Sequence, residues 1–383
     1  MKIFNDYIER KKSIITNKEG LEHLYTFKNF PIFFGCVDSP QDEDLFANME
    51  WAIDKETGVI QLTKLIPLDI LYQAQHVDGY GPTWQQYYKD LADYIVKYNP
   101  ELVLEIGGGQ GQLATFVTDK LKNLNWTIVE PNSWHEGNDR IKTVSAFFDK
   151  NFLYDKKVDA VVFSQVLEHA FDPNEFISAI SKFLKPGGKL IFAYPQLEVW
   201  LKNKFTNALN FEHTMFLTDY FVDFILESNS FKILDKYTYK THSHFYVAER
   251  LGVDTPAVNL AKLDNKYESY KEIFNDFIKY HQDMVDDINK KIENAKDPVY
   301  LFGAHIFSEY LLAFGLNDKK IVSILDNSPT KNKKRLYGTR FVIESPKILE
   351  GKGKVNLILK AGIYNEEIKK DILQNINSEV EFW

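Results

Sequence analysis

Residue types and spacings suited to chemistry appear first in Glu101–Val117, ELVLEIGGGQGQLATFV. A short apolar run through Leu104 and Ile106 reads as a buried strand, and it opens through Gly107, Gly108, Gly109 and Gly111 into a helical pattern. Glycines there let the backbone turn sharply and let a ligand approach the main chain. The helix behind the turn aims its free N–H groups at that ligand. No Gly-Lys-Ser/Thr ending follows, which disfavours a phosphate loop, and Glu105 precedes the first glycine by two positions. Glu130 closes the next apolar run, about twenty residues past the glycines, where this type of fold uses a carboxylate to accept hydrogen bonds from ribose hydroxyls. Phe147 lies in Ser145–Phe148, at the place of adenine contacts, with core packing the rival role for it and Phe148. Gln165 follows the apolar run Val158–Phe163. Glu212 and His213 form an adjacent carboxylate–imidazole pair, and an imidazole of ordinary pKa, near about 6.5, suits proton removal at neutral pH. A satisfied interior histidine is the competing reading of His213. Tyr80, in the loop His76–Trp84, offers a phenol to an acceptor or to a developing oxyanion.

Alternating strand and helix patterns must position these residues. From Glu101 to Val247 they predict a doubly wound parallel sheet. Ligands in such sheets bind outside the carboxyl ends of the strands, and Glu105, Glu130, Gln165 and Tyr194 all fall at strand ends. Met49–Leu62 reads as a hairpin around Gly58. Residues 257–296 read as one long amphipathic helix, with Leu263, Tyr267, Tyr270, Phe274, Phe277, His281, Val285, Ile288 and Ile292 on a single face. His281 on that stripe is a packing residue. Val299–Phe302, Ile321–Leu325 and Val355–Leu359 read as strands of a second, smaller α/β domain. Its Gly303-Ala304 turn and the run Lys331, Lys333, Lys334 and Arg335 suit a pyrophosphate, against the plainer role of a solvated loop. The expected division is a small N-terminal domain 1–85, a central domain 86–250, a linker helix 251–297 and a C-terminal Rossmann-like domain 298–383.

Composition limits the function. The formal charge is −8, with 44% hydrophobic and 26% charged residues, which disfavours nonspecific binding to nucleic acid or anionic membrane. No run is long enough to span a membrane, and the N-terminus MKIFNDYIERKK is not a signal peptide. The single cysteine, Cys36, excludes an internal disulfide and any multi-cysteine metal site. A cytoplasmic protein, monomeric or a small homo-oligomer, is expected.

The glycine turn after Glu105, Glu130, the VLEH that follows Gln165, and LKPGGKL together resemble a class I S-adenosylmethionine methyltransferase domain. The flanks resemble the sugar C-methyltransferases of deoxysugar biosynthesis, through Phe211-Glu212-His213, Gly303-Ala304, Ile324–Pro329 and Tyr337-Gly338-Thr339. The resemblance implies S-adenosylmethionine as cofactor, held by Glu105, Gly107, Gly109, Gly111, Glu130, Phe147 and Gln165. It implies a sugar or nucleotide-sugar substrate bound partly by the C-terminal domain. His213 would be the general base, with Glu212 and Tyr80 assisting. Three departures stand out. The zinc-binding cysteine pairs of that family's N-terminal domain are missing, one being replaced by Asp54-x-x-Thr57, so no metal is expected. Asn210 replaces a tyrosine shortly before the Glu-His pair, which leaves O-methylation of a hydroxyl open beside C-methylation of a keto-sugar. Gln165 stands where the related motif often has histidine. The rival functions are a binding protein that kept the fold without catalysis, and a nicotinamide oxidoreductase, which the acidic residue before the glycines disfavours.

Overall fold

Short aliphatic runs, each ending in a turn, build a seven-stranded sheet at the centre of the chain. Its order is Ile141–Val144, Asn125–Val129, Leu102–Ile106, Val158–Ser164, Leu184–Pro195, Ser243–Arg250 and Phe231–Tyr239. The first five strands are parallel to one another, and Ser243–Arg250 is antiparallel to both of its neighbours. The strand order therefore reverses between Leu102–Ile106 and Val158–Ser164, the switch point at which a crevice opens beyond the carboxyl ends. The structure is a computed structural model and describes residues 2–72, 82–133, 135–252 and 263–383. Tyr80 lies outside the described residues, so its expected role finds no structural account.

Both faces of the central sheet are covered, which is why its strands read as nearly continuous apolar runs. Val103, Trp126, Val162 and Ile191 pack beneath the helices Pro82–Val96 and Gln112–Lys120. Leu104, Val161, Phe163 and Phe192 point the other way, into a core shared with the two flanking sheets.

The N-terminal sheet pairs Leu21–Pro31 with Leu45–Asp54, and Leu45–Asp54 with Ile60–Leu62. The expected hairpin over Met49–Leu62 is thus present, and its tip is tied by Asp54 Oδ2, which accepts from Ser13 Oγ at 2.7 Å and Thr57 Oγ1 at 2.8 Å. The outer strand of this sheet comes from far along the chain: Met215–Phe216 pairs antiparallel with Gln61 and Ile60. Residues immediately after Glu212-His213 are thereby fixed to the N-terminal sheet.

The long helix spans Tyr267–Asn294, and Leu263, expected on its stripe, precedes its first turn. Tyr270, Phe274, Phe277, His281, Val285, Ile288 and Ile292 form its buried stripe. His281 stacks on Phe314 with ring centroids 5.4 Å apart. The C-terminal sheet is all parallel, in the order Ile343–Glu344, Ile321–Leu325, Val299–Phe302, Val355–Leu359, Val380–Phe382. Its basic run is engaged residue by residue. Lys331 pairs with Asp326 at 3.0 Å, Lys333 with Glu344 at 2.7 Å, Lys334 with Asp38 at 3.5 Å and Arg335 with Asp44 at 2.6 Å.

Candidate active site

A cavity of about 530 Å³ opens at the carboxyl ends of the central strands. Gly107 and Gly109 form one wall, and Glu130, Phe147 and Gln165 stand around them. Gly107 adopts φ +69°, and a Cβ there would come within 2.6 Å of Val166 Cγ2, so only glycine keeps this wall open. Gly111, at φ +74°, starts the Gln112–Lys120 helix and lies against the His135 ring rather than on the cavity. The Glu130 carboxylate accepts the Gly109 N–H at 3.3 Å and the Asn132 N–H at 3.2 Å, which fixes it at the end of its strand facing the cavity.

Glu105 is placed differently. It is 2% exposed, does not line the cavity, and accepts the Trp126 indole N–H at 2.7 Å beneath the glycine turn. Its strand neighbour Ile106 lines the cavity instead, as the alternation of side chains along a strand requires. Tyr194 is buried against Phe192 and Tyr246, also away from the lining. Phe147 is exposed at the mouth, whereas Phe148 packs with Phe152, Phe176 and Phe183. Both residues line the cavity.

Gln165 holds φ +56°, an uncommon conformation for a residue with a side chain and one that recurs at functional sites. Its backbone N–H donates to Ala193 O at 2.9 Å, and its side-chain amide donates to Tyr87 Oη at 2.9 Å and Ser243 Oγ at 3.0 Å. With both amide hydrogens used, the side-chain oxygen is left as the acceptor group of this cavity residue.

Opposite the glycine turn, the cavity meets Tyr72, His169 and Glu212. The Tyr72 hydroxyl lies 2.9 Å from His169 Nδ1, while Tyr72 O accepts from Asn132 Nδ2 at 3.0 Å. Glu168 Oε1 is 3.6 Å from His169 Nε2, and Glu212 Oε2 is 3.9 Å from His169 Nδ1. Sequence reasoning noticed the VLEH that holds His169 but assigned it no role, and it passed over Tyr72 altogether. Nothing local links residues 97 positions apart.

His213 stands behind this group, its ring centroid 5.4 Å from that of His169. It does not line the cavity in this structure. Its Nδ1 lies 3.1 Å from Ala208 O and 3.3 Å from Asn210 Nδ2. The expected tyrosine position is occupied by a turn-forming residue: Asn210 Oδ1 accepts the backbone N–H of Glu212 and of His213, both at 2.8 Å. On the far side, Thr214 N–H donates to Glu168 O at 3.0 Å and Thr214 Oγ1 to Ala170 O at 2.8 Å.

The two imidazoles are driven apart in basicity. Burial lowers the pKa of His213, and the neighbouring His169 lowers it further. Burial also opposes charge on His169, but the carboxylates of Glu168 and Glu212 outweigh it and raise that pKa. Two further histidines, His242 and His244, sit in different surroundings. His242 is edge-on to Trp84 at 4.9 Å, whereas His244 packs on Tyr194, and burial lowers the pKa of both.

A glycine turn at the switch point, facing a carboxylate on the next strand, defines a Rossmann-like cofactor crevice. Comparison narrows the class: residues 82–262, just under half of the chain, match the family described as "Methyltransferase domain". That stretch holds the central sheet. Solved structures similar to part of the chain include an O-methyltransferase family protein from Burkholderia thailandensis, 14% identical over 45% of this chain and 57% of its own, with a TM-score of 0.37. Human N-acetylserotonin methyltransferase in complex with SAM is 17% identical over 44% of this chain and 53% of its own, also at 0.37. The plantazolicin methyltransferase BpumL in complex with SAH is 11% identical over 44% of this chain and 86% of its own, again at 0.37. The chain spans little more than half the length of the first two. No curated protein matches its sequence.

Proposed function

We propose that the chain transfers a methyl group from S-adenosylmethionine to a sugar, nucleotide-linked, with His213 as the proton acceptor. One observation carries this reading: a single cavity has the glycine turn, Glu130 and Phe147 at one end and the Tyr72–His169–Glu212 group at the other. Glu130 would take the ribose hydroxyls and Phe147 the adenine face. Gln165, with its amide hydrogens engaged, would present its oxygen to a donor on the cofactor or the acceptor.

Methyl transfer from a sulfonium needs the acceptor atom held in line, within about 3–3.5 Å of the methyl carbon. It also needs a sink for the acceptor's proton. Two groups whose environments push their pKa values apart divide such work naturally. His213, kept neutral, takes the proton. His169, whose pKa Glu168 and Glu212 raise, stabilises the negative charge that develops on a sugar hydroxyl or on the enolate of a keto-sugar. Glu212 binds a sugar hydroxyl from the cavity wall. Both O- and C-methylation run through this arrangement, and the site of label in the product distinguishes them.

A second reading has its own observation: His169 lines the cavity and His213 does not, so His169 itself would take the proton. Paired variants decide. If His213 is the base, His213→Asn loses turnover with cofactor affinity intact, and His169→Asn retains a base-dependent pH profile at reduced rate. Wild-type turnover in His213→Asn overturns the assignment.

A further inference from the structure

We propose that Tyr310, in the C-terminal α/β unit, is a positioning residue for the Glu212–His213 turn, acting through the carbonyl of Leu209. The proposal rests on the reading of His213 as proton acceptor and extends it to a part of the chain remote from the cofactor. Tyr310 is fully buried on the helix Ile306–Ala313, and its hydroxyl donates to Leu209 O, 101 residues earlier in the chain. Its ring packs among Phe27 at 5.3 Å, Phe30 at 4.9 Å and Phe314 at 6.2 Å. Every other aromatic in that contact set is a phenylalanine. A phenylalanine would fill the same space, and burying a hydroxyl is costly unless it is bonded. The hydroxyl is therefore explained by its bond.

Leu209 lies between the two groups that set the imidazole. Ala208, before it, presents the carbonyl 3.1 Å from His213 Nδ1. Asn210, after it, accepts the N–H groups of Glu212 and His213. Thr214 already fixes the far side of the histidine through Glu168 O and Ala170 O. Tyr310 supplies the matching anchor on the near side, so the turn is pinned at both ends. With Ala208 O taking the proton on Nδ1, Nε2 carries the lone pair that a base needs. The titratable groups facing His213 are His169, Glu168 and Glu212, and Tyr310 has Glu309 beside it.

The test is Tyr310→Phe in the full chain. Three readouts are needed: cofactor affinity by calorimetry, turnover against pH, and the histidine side-chain nitrogens by long-range ¹H–¹⁵N correlation. The proposal expects unchanged cofactor affinity and kcat lower by about tenfold with a nearly constant sugar KM, the mark of lost transition-state positioning. The acid limb should move to lower pH, because the Ala208 carbonyl raises the pKa of His213 and its contact loosens. In the wild-type protein His213 should carry its proton on Nδ1, and its resonances should shift in the variant. A folded variant with unaltered kcat and unaltered His213 resonances overturns the proposal. So does an Nε2–H tautomer in the wild-type protein, a result that does not depend on the variant folding. His213 resonances that move in a protein inert toward every sugar would support the positioning and remove the assigned reaction instead.

Discussion

In the proposed reading, Glu130 is the residue on which the cofactor end depends. Its carboxylate is held by two backbone N–H groups at the strand end, so its position is set before any ligand arrives. Glu130→Ala is expected to weaken S-adenosylhomocysteine binding by about 1–3 kcal/mol, the scale of a lost charged hydrogen bond. Unchanged affinity by calorimetry would remove Glu130 from the site. At the acceptor end the sign of the pKa shift matters. A base whose pKa is lowered stays unprotonated as the pH falls, so the acid limb of kcat for a His213 base should lie below about 6.5, the ordinary histidine value. A limb well above that value would point to His169, whose pKa is raised. Glu168, His169 and His213 also offer donor atoms all within 4.8 Å of one another, a set that a cation could use. The proton-acceptor reading expects turnover to survive prolonged dialysis against a chelator. Loss of activity restored by zinc would place a cation there.

At the scale of elements, the glycine-turn end of the cavity was largely legible because strand, glycine turn and the next strand are local in sequence. Glu130 and Gln165 end short apolar runs, and the crevice follows from the strand order. Glu105 shows where such reading stops. The pattern placed it at the strand end, but side-chain alternation turned it toward Trp126 and left Ile106 on the cavity. The opposite end of the cavity was legible only in part. Glu212 and His213 are adjacent, yet Tyr72 and His169 meet only because the segment after Ile60–Leu62 folds over the central sheet. The stripe alone does not mark a first turn: the helix begins at Tyr267, and Lys266, preceding it, makes no side-chain cap. The basic run 331–335 suited a phosphate in sequence, but the fold supplies a carboxylate for each of its four basic residues.

The whole molecule is tied together by groups that bridge the N- and C-terminal sheets. Arg335 donates to both oxygens of Asp44, at 2.6 and 2.7 Å, with the Asp44 side chain fully buried, and Asp44 also accepts the Gly338 N–H at 2.9 Å. Removing one partner of a buried pair leaves the other charge uncompensated. Asp44→Ala is therefore expected to cost about 3–5 kcal/mol in denaturant unfolding. A loss below about 1 kcal/mol would mean the pair is solvated in solution, as exposed pairs are. Between these bridged sheets runs the turn that holds Glu212 and His213, joined to one by Met215–Phe216 and to the other by Tyr310. Among the described residues no helix is long and apolar enough to cross a membrane.

In the proposed reading the crevice holds S-adenosylmethionine and an acceptor sugar binds beside it. Calorimetric titration of the intact protein with S-adenosylhomocysteine, repeated in the presence of a panel of nucleotide sugars, tests it most directly. Binding at one ligand per chain, weakened in Glu130→Ala and strengthened by at least one sugar nucleotide, is the expected result. No binding of S-adenosylhomocysteine under any of these conditions would contradict it.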